Sequence, residues 1–292
     1  MNSSSLPFQM RLAHFAYPQQ PCELPFVIGG ATQHRGEATV ESRNSQDCIG
    51  ILIGPRALVA VVCDGCTGTH PDIEASSYSS NDVGAKLLTY TISQHAFRLA
   101  QRYPRMLPSQ FVERLSRVGL RKIESVQRMF SGRDKNVRAR FASDFLMSTV
   151  LGLAVTRTQY IVFHSGDGII VVNGDIHSLD SEAGVYLGND LVNDFGQEKL
   201  GDNSLKLHTS GPVEELNSIF LATDGLSRIA STYSRQLLEF ITSQPSNQQT
   251  ENGLDFLLQE FRQKVAWNSD VTFRSDDDAS FALVRRVQGR LE

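Results

Sequence analysis

Apolar positions along this chain fall into two patterns. Short blocks rich in β-branched residues occupy 26–31, 47–53, 57–63, 160–163, 169–172, 219–222 and 279–286. Each is bounded by Gly, Pro, Asn or Asp, which predicts strands ending in tight turns. Gly54-Pro55-Arg56 joins two of them as a hairpin turn. Longer segments carry apolar residues at helical spacing. Val83, Leu87, Leu88, Thr91, Ile92, Ala96 and Leu99 predict one amphipathic helix, with Asn81 or Asp82 as its cap and Tyr103-Pro104 as its stop. Phe111, Leu115, Val118, Ile123, Val126 and Phe130 predict a second, capped by Ser109 and ended by Ser131-Gly132.

The remainder is less regular. Residues 145–155 read as a strand or buried segment, and 160–163 with 169–172 as a bent strand pair around Gly166-Asp167-Gly168. Residues 181–217 read as irregular, with short strands near 185–187 and 205–207, and two further helices are predicted near 231–243 and 253–266. Strands and helices cluster rather than alternate, so the expected class is α+β, with antiparallel sheets carrying helices on their outer faces. Residues 1–25, polar and proline-bearing, read as an N-terminal arm, and 26–292 as a single domain without a dividing linker.

Composition narrows the function. The chain has 292 residues, 40% of them apolar, enough for one large core. A net charge of −4 gives no overall nucleic-acid footprint, although 98–140 is rich in arginine and reads mainly as a solvated face. No run approaches the ~20 apolar residues of a membrane span, and no basic-then-apolar leader opens the chain, so a cytoplasmic protein without membrane attachment is expected. Cys63 and Cys66 form a C-x-x-C, but no second pair has zinc spacing, so reduced thiols are expected.

The candidate chemistry lies in five aspartate turns: Gln46-Asp47, Asp64-Gly65, Gly166-Asp167-Gly168, Thr223-Asp224-Gly225 and Asp276-Asp277-Asp278. All adjoin predicted strands. Strand ends can aim several carboxylates at one point, where they repel unless protonated or joined by a cation. An oxygen-only set suits Mg²⁺ or Mn²⁺.

In this order the motifs resemble the protein phosphatase 2C family of metal-dependent Ser/Thr phosphatases. Besides the aspartate turns, Val61-Val62-Cys63-Asp64-Gly65, Ser148-Thr149-Val150-Leu151 and Asp277-Asp278-Ala279-Ser280 carry the likeness over roughly 27–285, and a divergent bacterial branch is the most similar. The resemblance implies an αββα sandwich of two stacked antiparallel sheets flanked by helices. It implies two divalent cations, Mg²⁺ or Mn²⁺, that activate a water for hydrolysis of phosphomonoesters. Asp64 would bridge them, Gly65 would lend its backbone carbonyl, Asp224 and Asp277 would complete one site, and Asp47 would coordinate or hold ligand waters. Ser280 favours Asp277 over its two neighbours as the ligand. Arg43 is the candidate phosphate grip, with Arg35 as the other option. The substrate would be a phosphorylated Ser/Thr protein, paired with a cognate kinase in signalling, and the enzyme a monomer.

Four departures stand out. Gln46 replaces a common glutamate, Cys66 a common histidine and Arg228 a common aspartate, and Arg43 is one residue out of register. The loss at Arg228 leaves Asp167 without its usual partner for a third metal. These changes keep open a non-catalytic binding module on the same fold, or a hydrolase of small phosphate esters.

Overall fold

A computed structural model describes residues 23–33, 46–66, 80–179, 186–187, 205–232, 234–243 and 278–287, without the side chains of 228 and 229. Among the described residues, ten strands form two five-stranded antiparallel sheets. One has the order β1 (Phe26–Gln33), β10 (Ala279–Arg286), β9 (Ser218–Ala222), β6 (Gly168–Val172), β7 (Asp175–Leu179). The other runs β2 (Cys48–Ile53), β3 (Ala57–Cys63), β4 (Val150–Thr156), β5 (Gln159–Ser165), β8 (Lys206–Pro212). Helices α1 (Asp82–Arg102), α2 (Pro108–Ser131) and α3 (Lys135–Phe145) associate with the second sheet. Helices α4 (Ser227–Thr232) and α5 (Ser234–Thr242) lie with the first.

Burial explains why the strands read as unbroken apolar runs. In β3, Leu58, Ala60 and Val62 enter the core between the sheets, whereas Ala57, Val59, Val61 and Cys63 enter a second core against α1 and α2. Both faces are covered, so the period-two alternation disappears. The first sheet behaves likewise. Leu221, Ala282 and Val284 face the inter-sheet core, while Phe220, Phe281 and Leu283 meet Leu237, Phe240 and Ile241 of α5. The outcome is the expected sandwich of two antiparallel sheets with helices outside.

The local readings hold unevenly. Strands β3 and β10 and helices α1 and α2 lie where the periodicity puts them. Helix α2, however, begins with Pro108 at its first position and Leu107 as cap, without a cap bond from Ser109. Strands β5 and β6 are not a pair: the chain leaves one sheet at Ser165 and enters the other at Gly168. Gly166 (φ +83°) and Gly168 (φ +132°) take backbone conformations that disfavour side chains, which allows this crossing. Helix α3 and strand β7 have no counterpart in the apolar pattern, because α3 buries only Ala139, Ala142 and Ser143 and β7 is largely exposed. Tyr186 and Leu187 form no strand, whereas 206–212 form β8. Leu24, in the expected arm, is buried in the inter-sheet core, and Pro25 accepts a hydrogen bond from the Val287 amide. Residues 1–22 and the helix expected at 253–266 lie outside the described residues.

Candidate active site

The antiparallel pairings collect the aspartate turns at one edge of the sandwich. The last pair of β2 and β3 is Cys48↔Cys63, so Asp47 and Asp64 are opposed one position further along. Strand β9 ends at Ala222 opposite Phe281 of β10 and Ile169 of β6, which brings Asp224, Asp278 and Asp167 to the same end of the other sheet.

Asp47 is the most enclosed of the set. It is buried, its Oδ2 accepts a 2.8 Å hydrogen bond from the Thr223 hydroxyl, and its carboxyl hydrogen-bonds with that of Asp64. Burial pushes the Asp47 carboxyl up to about 7, and the negative charge of Asp278 pushes the same way, while the bonds from Asp64, Thr223 and Ser280 oppose them. Thr223 is fixed in turn. Its amide donates to Ser280 O at 3.0 Å, and its hydroxyl accepts from Ser280 N at 2.9 Å. The Ser280 hydroxyl pairs with that of Thr32 at 2.9 Å, so β1, β9 and β10 share one network beneath Asp47.

Asp278 joins from the opposite sheet. Its Oδ2 accepts a 2.9 Å hydrogen bond from the Gln46 amide, tying the start of β10 to the start of β2. The Asp224-Gly225 turn presses against the same backbone: a Cβ at Gly225 would lie 2.0 Å from Asp278 O. Glycine is therefore the residue that lets the Asp224 turn and the Asp278 main chain approach so closely.

Asp64 is held through its main chain. Its amide donates to the Thr149 hydroxyl at 3.1 Å, and its carbonyl accepts from the Thr149 amide at 2.8 Å. Gly65 bridges to Ser148, and its amide donates to Gln46 O at 3.1 Å. Asn81 completes the frame. Fully buried, it donates to Cys66 O and, at 3.0 Å, to Ser143 O, and it accepts from Met147 N at 3.1 Å. Asn81 does stand at the cap position of α1, but its side chain makes no cap bond and clamps the aspartate turn instead.

On the other side of Asp64, Asp167 shares a patch with Cys66 and Tyr186. Burial raises both the Cys66 thiol and the Tyr186 hydroxyl above their ordinary ranges, and the charges of Asp64 and Asp167 add to the effect. The two cysteines of the C-x-x-C diverge. Cys63 packs against α1 while Cys66 packs with Ala142 and Met147, and neither is in a disulfide.

The structure thus brings together Asp47, Asp64 and Asp278, with Gly225, the residue after Asp224, against the Asp278 backbone and Asp167 beyond Cys66. Arg43, Arg35 and Asp277 lie outside the described residues. The hydrogen-bonding roles of Asp278, Thr223 and Thr149 were not evident from the sequence. Thr223 precedes an Asp-Gly at a strand end, which was the available signal. Among the described residues, no three His, Cys, Asp or Glu side chains already surround one point as a metal would require. The donor set is nevertheless of the right kind for a hard divalent cation, being built from carboxylate and main-chain oxygens.

Comparison with known proteins now identifies the chain. The family model described as Protein phosphatase 2C matches residues 36–264. The chain belongs to the protein phosphatase 2C family. Solved structures agree in fold with this phosphatase 2C chain. The catalytic domain of the serine/threonine protein phosphatase PstP in complex with two manganese ions superposes with a TM-score of 0.52 at 14% identity, covering 90% of this chain and 99% of that one. The Mycobacterium tuberculosis serine/threonine phosphatase PstP/Ppp gives 0.51 at 12% identity, with 90% and 99% covered. An arginine-to-lysine variant of a bacterial serine phosphatase gives 0.51 at 16% identity, with 89% and 97% covered. No curated protein matches this phosphatase 2C sequence. Among its described residues, no helix is long and apolar enough to cross a membrane.

Proposed function

We propose that this protein is a Mg²⁺- or Mn²⁺-dependent phosphoprotein phosphatase that hydrolyses phosphoserine and phosphothreonine. The observation that carries the reading is the packing of Asp47, Asp64 and Asp278 at one edge of the sandwich, beside the Asp224 turn, in a phosphatase 2C chain. Asp64, Asp224 and Asp277, with the Gly65 carbonyl and Asp47, would hold two cations. Bound there, the cations would draw charge from the phosphoryl oxygens and acidify a water near neutral pH.

The chain's own groups supply the frame. Thr223 fixes one oxygen of Asp47, Thr149 fixes the main chain at Asp64, and Asn81 locks the turn that follows. Such support keeps carboxylates in place against their mutual repulsion. Cys66, where the resemblance leads one to expect a histidine, stays a neutral, buried thiol and offers neither a ready proton nor a thiolate nucleophile. A phosphocysteine route is therefore disfavoured, and direct attack by water fits the site better. Asp167 sits beyond Cys66 as an auxiliary acidic residue, and Arg43 remains our candidate for gripping the phosphoryl group. We also propose a cytoplasmic monomer acting on phosphoproteins made by a partner kinase.

The test is hydrolysis of a phosphothreonine peptide with and without Mn²⁺. Asp64→Asn should reduce kcat by at least about 10³-fold, on the scale of a lost metal-site or electrostatic group, with an unchanged circular dichroism spectrum. Full turnover in that variant or in excess EDTA would falsify the proposal. Retained phosphopeptide binding without any Mn²⁺ binding would favour the non-catalytic module. Faster turnover of small phosphate esters than of phosphopeptides would favour the metabolite hydrolase.

A further inference from the structure

Three histidines from three strands meet at one side of the sandwich. His164 lies on β5, His208 on β8 and His177 on β7. Strands β7 and β8 end the two sheets on the same side, since β1 lies over β2, β10 over β3 and β9 over β4. His164 is two residues beyond Val162, and His177 pairs with Ile170, so both point with those residues toward the space between the sheets. His208 arrives by a different route. The register of β5 and β8 shifts between Val162 and Phe163, which leaves His208 without a residue opposite. A bulge of this kind can re-aim a side chain that strict alternation would send to the other face. The His208 ring meets that of His177 at 4.8 Å and that of His164 at 5.7 Å, both edge to face.

Ring packing alone accounts poorly for this group. His164 Nδ1 is buried and makes no hydrogen bond to any described residue. A buried polar atom in that state is costly, and one recognised reason for it is a place for an ion. Burial lowers His164, helped by Lys206 and opposed by the Gly166 backbone. Burial also lowers His208, helped by His177 and His164. Both therefore present neutral imidazoles near pH 7, the form that ligates a metal and has no charge to attract an anion.

From this convergence we propose that His164, His177 and His208 form a zinc site that clasps the edges of the two sheets. An all-imidazole set suits Zn²⁺, whereas Mg²⁺ and Mn²⁺ prefer oxygen ligands, so the site is chemically separate from the aspartate edge. Among the described residues, the three side chains do not already surround one point. With ring nitrogens at about 2.0–2.1 Å from a tetrahedral ion, the ring centres would stand roughly 5 Å from one another. The observed 4.8 and 5.7 Å bracket that value, so a turn of the rings would bring their nitrogens together without moving the strands. His177 is exposed, which gives the ion an entry path and leaves its fourth position to water. Lys206, opposite His164, is exposed as well, so its ammonium can stay in water away from the ion.

The experiment titrates the whole protein with ZnCl₂ by calorimetry, in a large excess of Mg²⁺ that fills oxygen sites, and repeats the series by thermal unfolding. Wild type is expected to bind one Zn²⁺ that survives the Mg²⁺. A hundredfold excess over Kd should raise the melting temperature by about 5 °C. His177→Gln, on an exposed strand and so the mildest change for folding, should weaken that binding at least about tenfold and remove most of the shift, since even a supporting group of a metal site is worth that much. His208→Gln should do the same, and Asp64→Asn should leave zinc binding unchanged. Zinc binding that Mg²⁺ abolishes, that Asp64→Asn removes, or that both histidine variants retain overturns the proposal. So does an absence of zinc binding, which would leave a water as the partner of His164 Nδ1. The readout is binding and unfolding without turnover, so it stands or fails separately from the phosphatase reading.

Discussion

Replacing Asn81 with alanine removes one side chain that satisfies three buried main-chain groups. The carbonyls of Cys66 and Ser143 lose a donor, and the amide of Met147 loses an acceptor. Each buried polar group left unpaired costs about 1–3 kcal/mol. Water entering the vacated space would recover part of that, so a loss of ~3–5 kcal/mol is expected. At roughly 2–4 °C per kcal/mol for a domain of this size, the melting temperature should fall by about 10 °C. The consequence extends to the site, because Cys66 directly follows Asp64-Gly65. Freed from its clamp, that turn should let Asp64 wander, and kcat on a phosphopeptide should fall by about tenfold at a temperature where the variant is still folded. Asn81→Asp keeps the shape and the acceptor for Met147 but turns a carboxylate oxygen toward two carbonyls, so it should be at least as damaging. Urea unfolding followed by circular dichroism, with turnover at 20 °C, checks both parts. A loss under 1 kcal/mol for Asn81→Ala would show that the three bonds do not hold the turn.

Three further outcomes follow from the same site and its surroundings. Gly225→Ala would place a methyl 2.0 Å from Asp278 O, so the Asp224 turn must move; activity should drop at least about tenfold with far-UV dichroism unchanged, and wild-type turnover would refute the close approach. Asp47 has a folded value of about 7 against 3.8, so the folded protein holds a proton that the unfolded chain releases. Stability of the chelator-treated protein should therefore fall as pH rises from about 4 to about 7, and Asp47→Asn should stabilise it at pH 8 while abolishing turnover; an unchanged or lower melting temperature there would count against the burial argument. His164 and His208 are shifted the other way, lowered first by burial, His208 also by His177 and His164, and His164 also by Lys206. Stability present above the unfolded value of 6.5 should be lost as pH falls through it, and His208→Gln should reduce the difference in urea stability between pH 7.5 and 5.5, whereas an undiminished difference would contradict the assignment.

Local pattern sufficed where an element's own burial repeats along it. Helices α1 and α2 have one buried face each, and β3 and β10 are buried on both, so their apolar spacing survives in the chain as a period or as an unbroken run. The aspartate turns were legible for a related reason: short acidic and glycine residues sit where strands stop. Helix α3 was not legible because it buries small residues only, although Asp134 is set to accept from the Asn136 and Val137 amides as a cap does. What the chain alone left open is partnership. The bond from Thr223 to Asp47 spans 176 residues, and the one from Gln46 to Asp278 spans 232. No periodicity reports such a pairing, because it depends on which sheet each strand joins and in what register. The same holds for β5 and β6, neighbours in the chain that join different sheets. The sequence determined where the carboxylates stand along their strands. The stacking of two sheets, driven by the apolar core between them, decided that they meet and that Asp47 is buried deeply enough for its charge to matter.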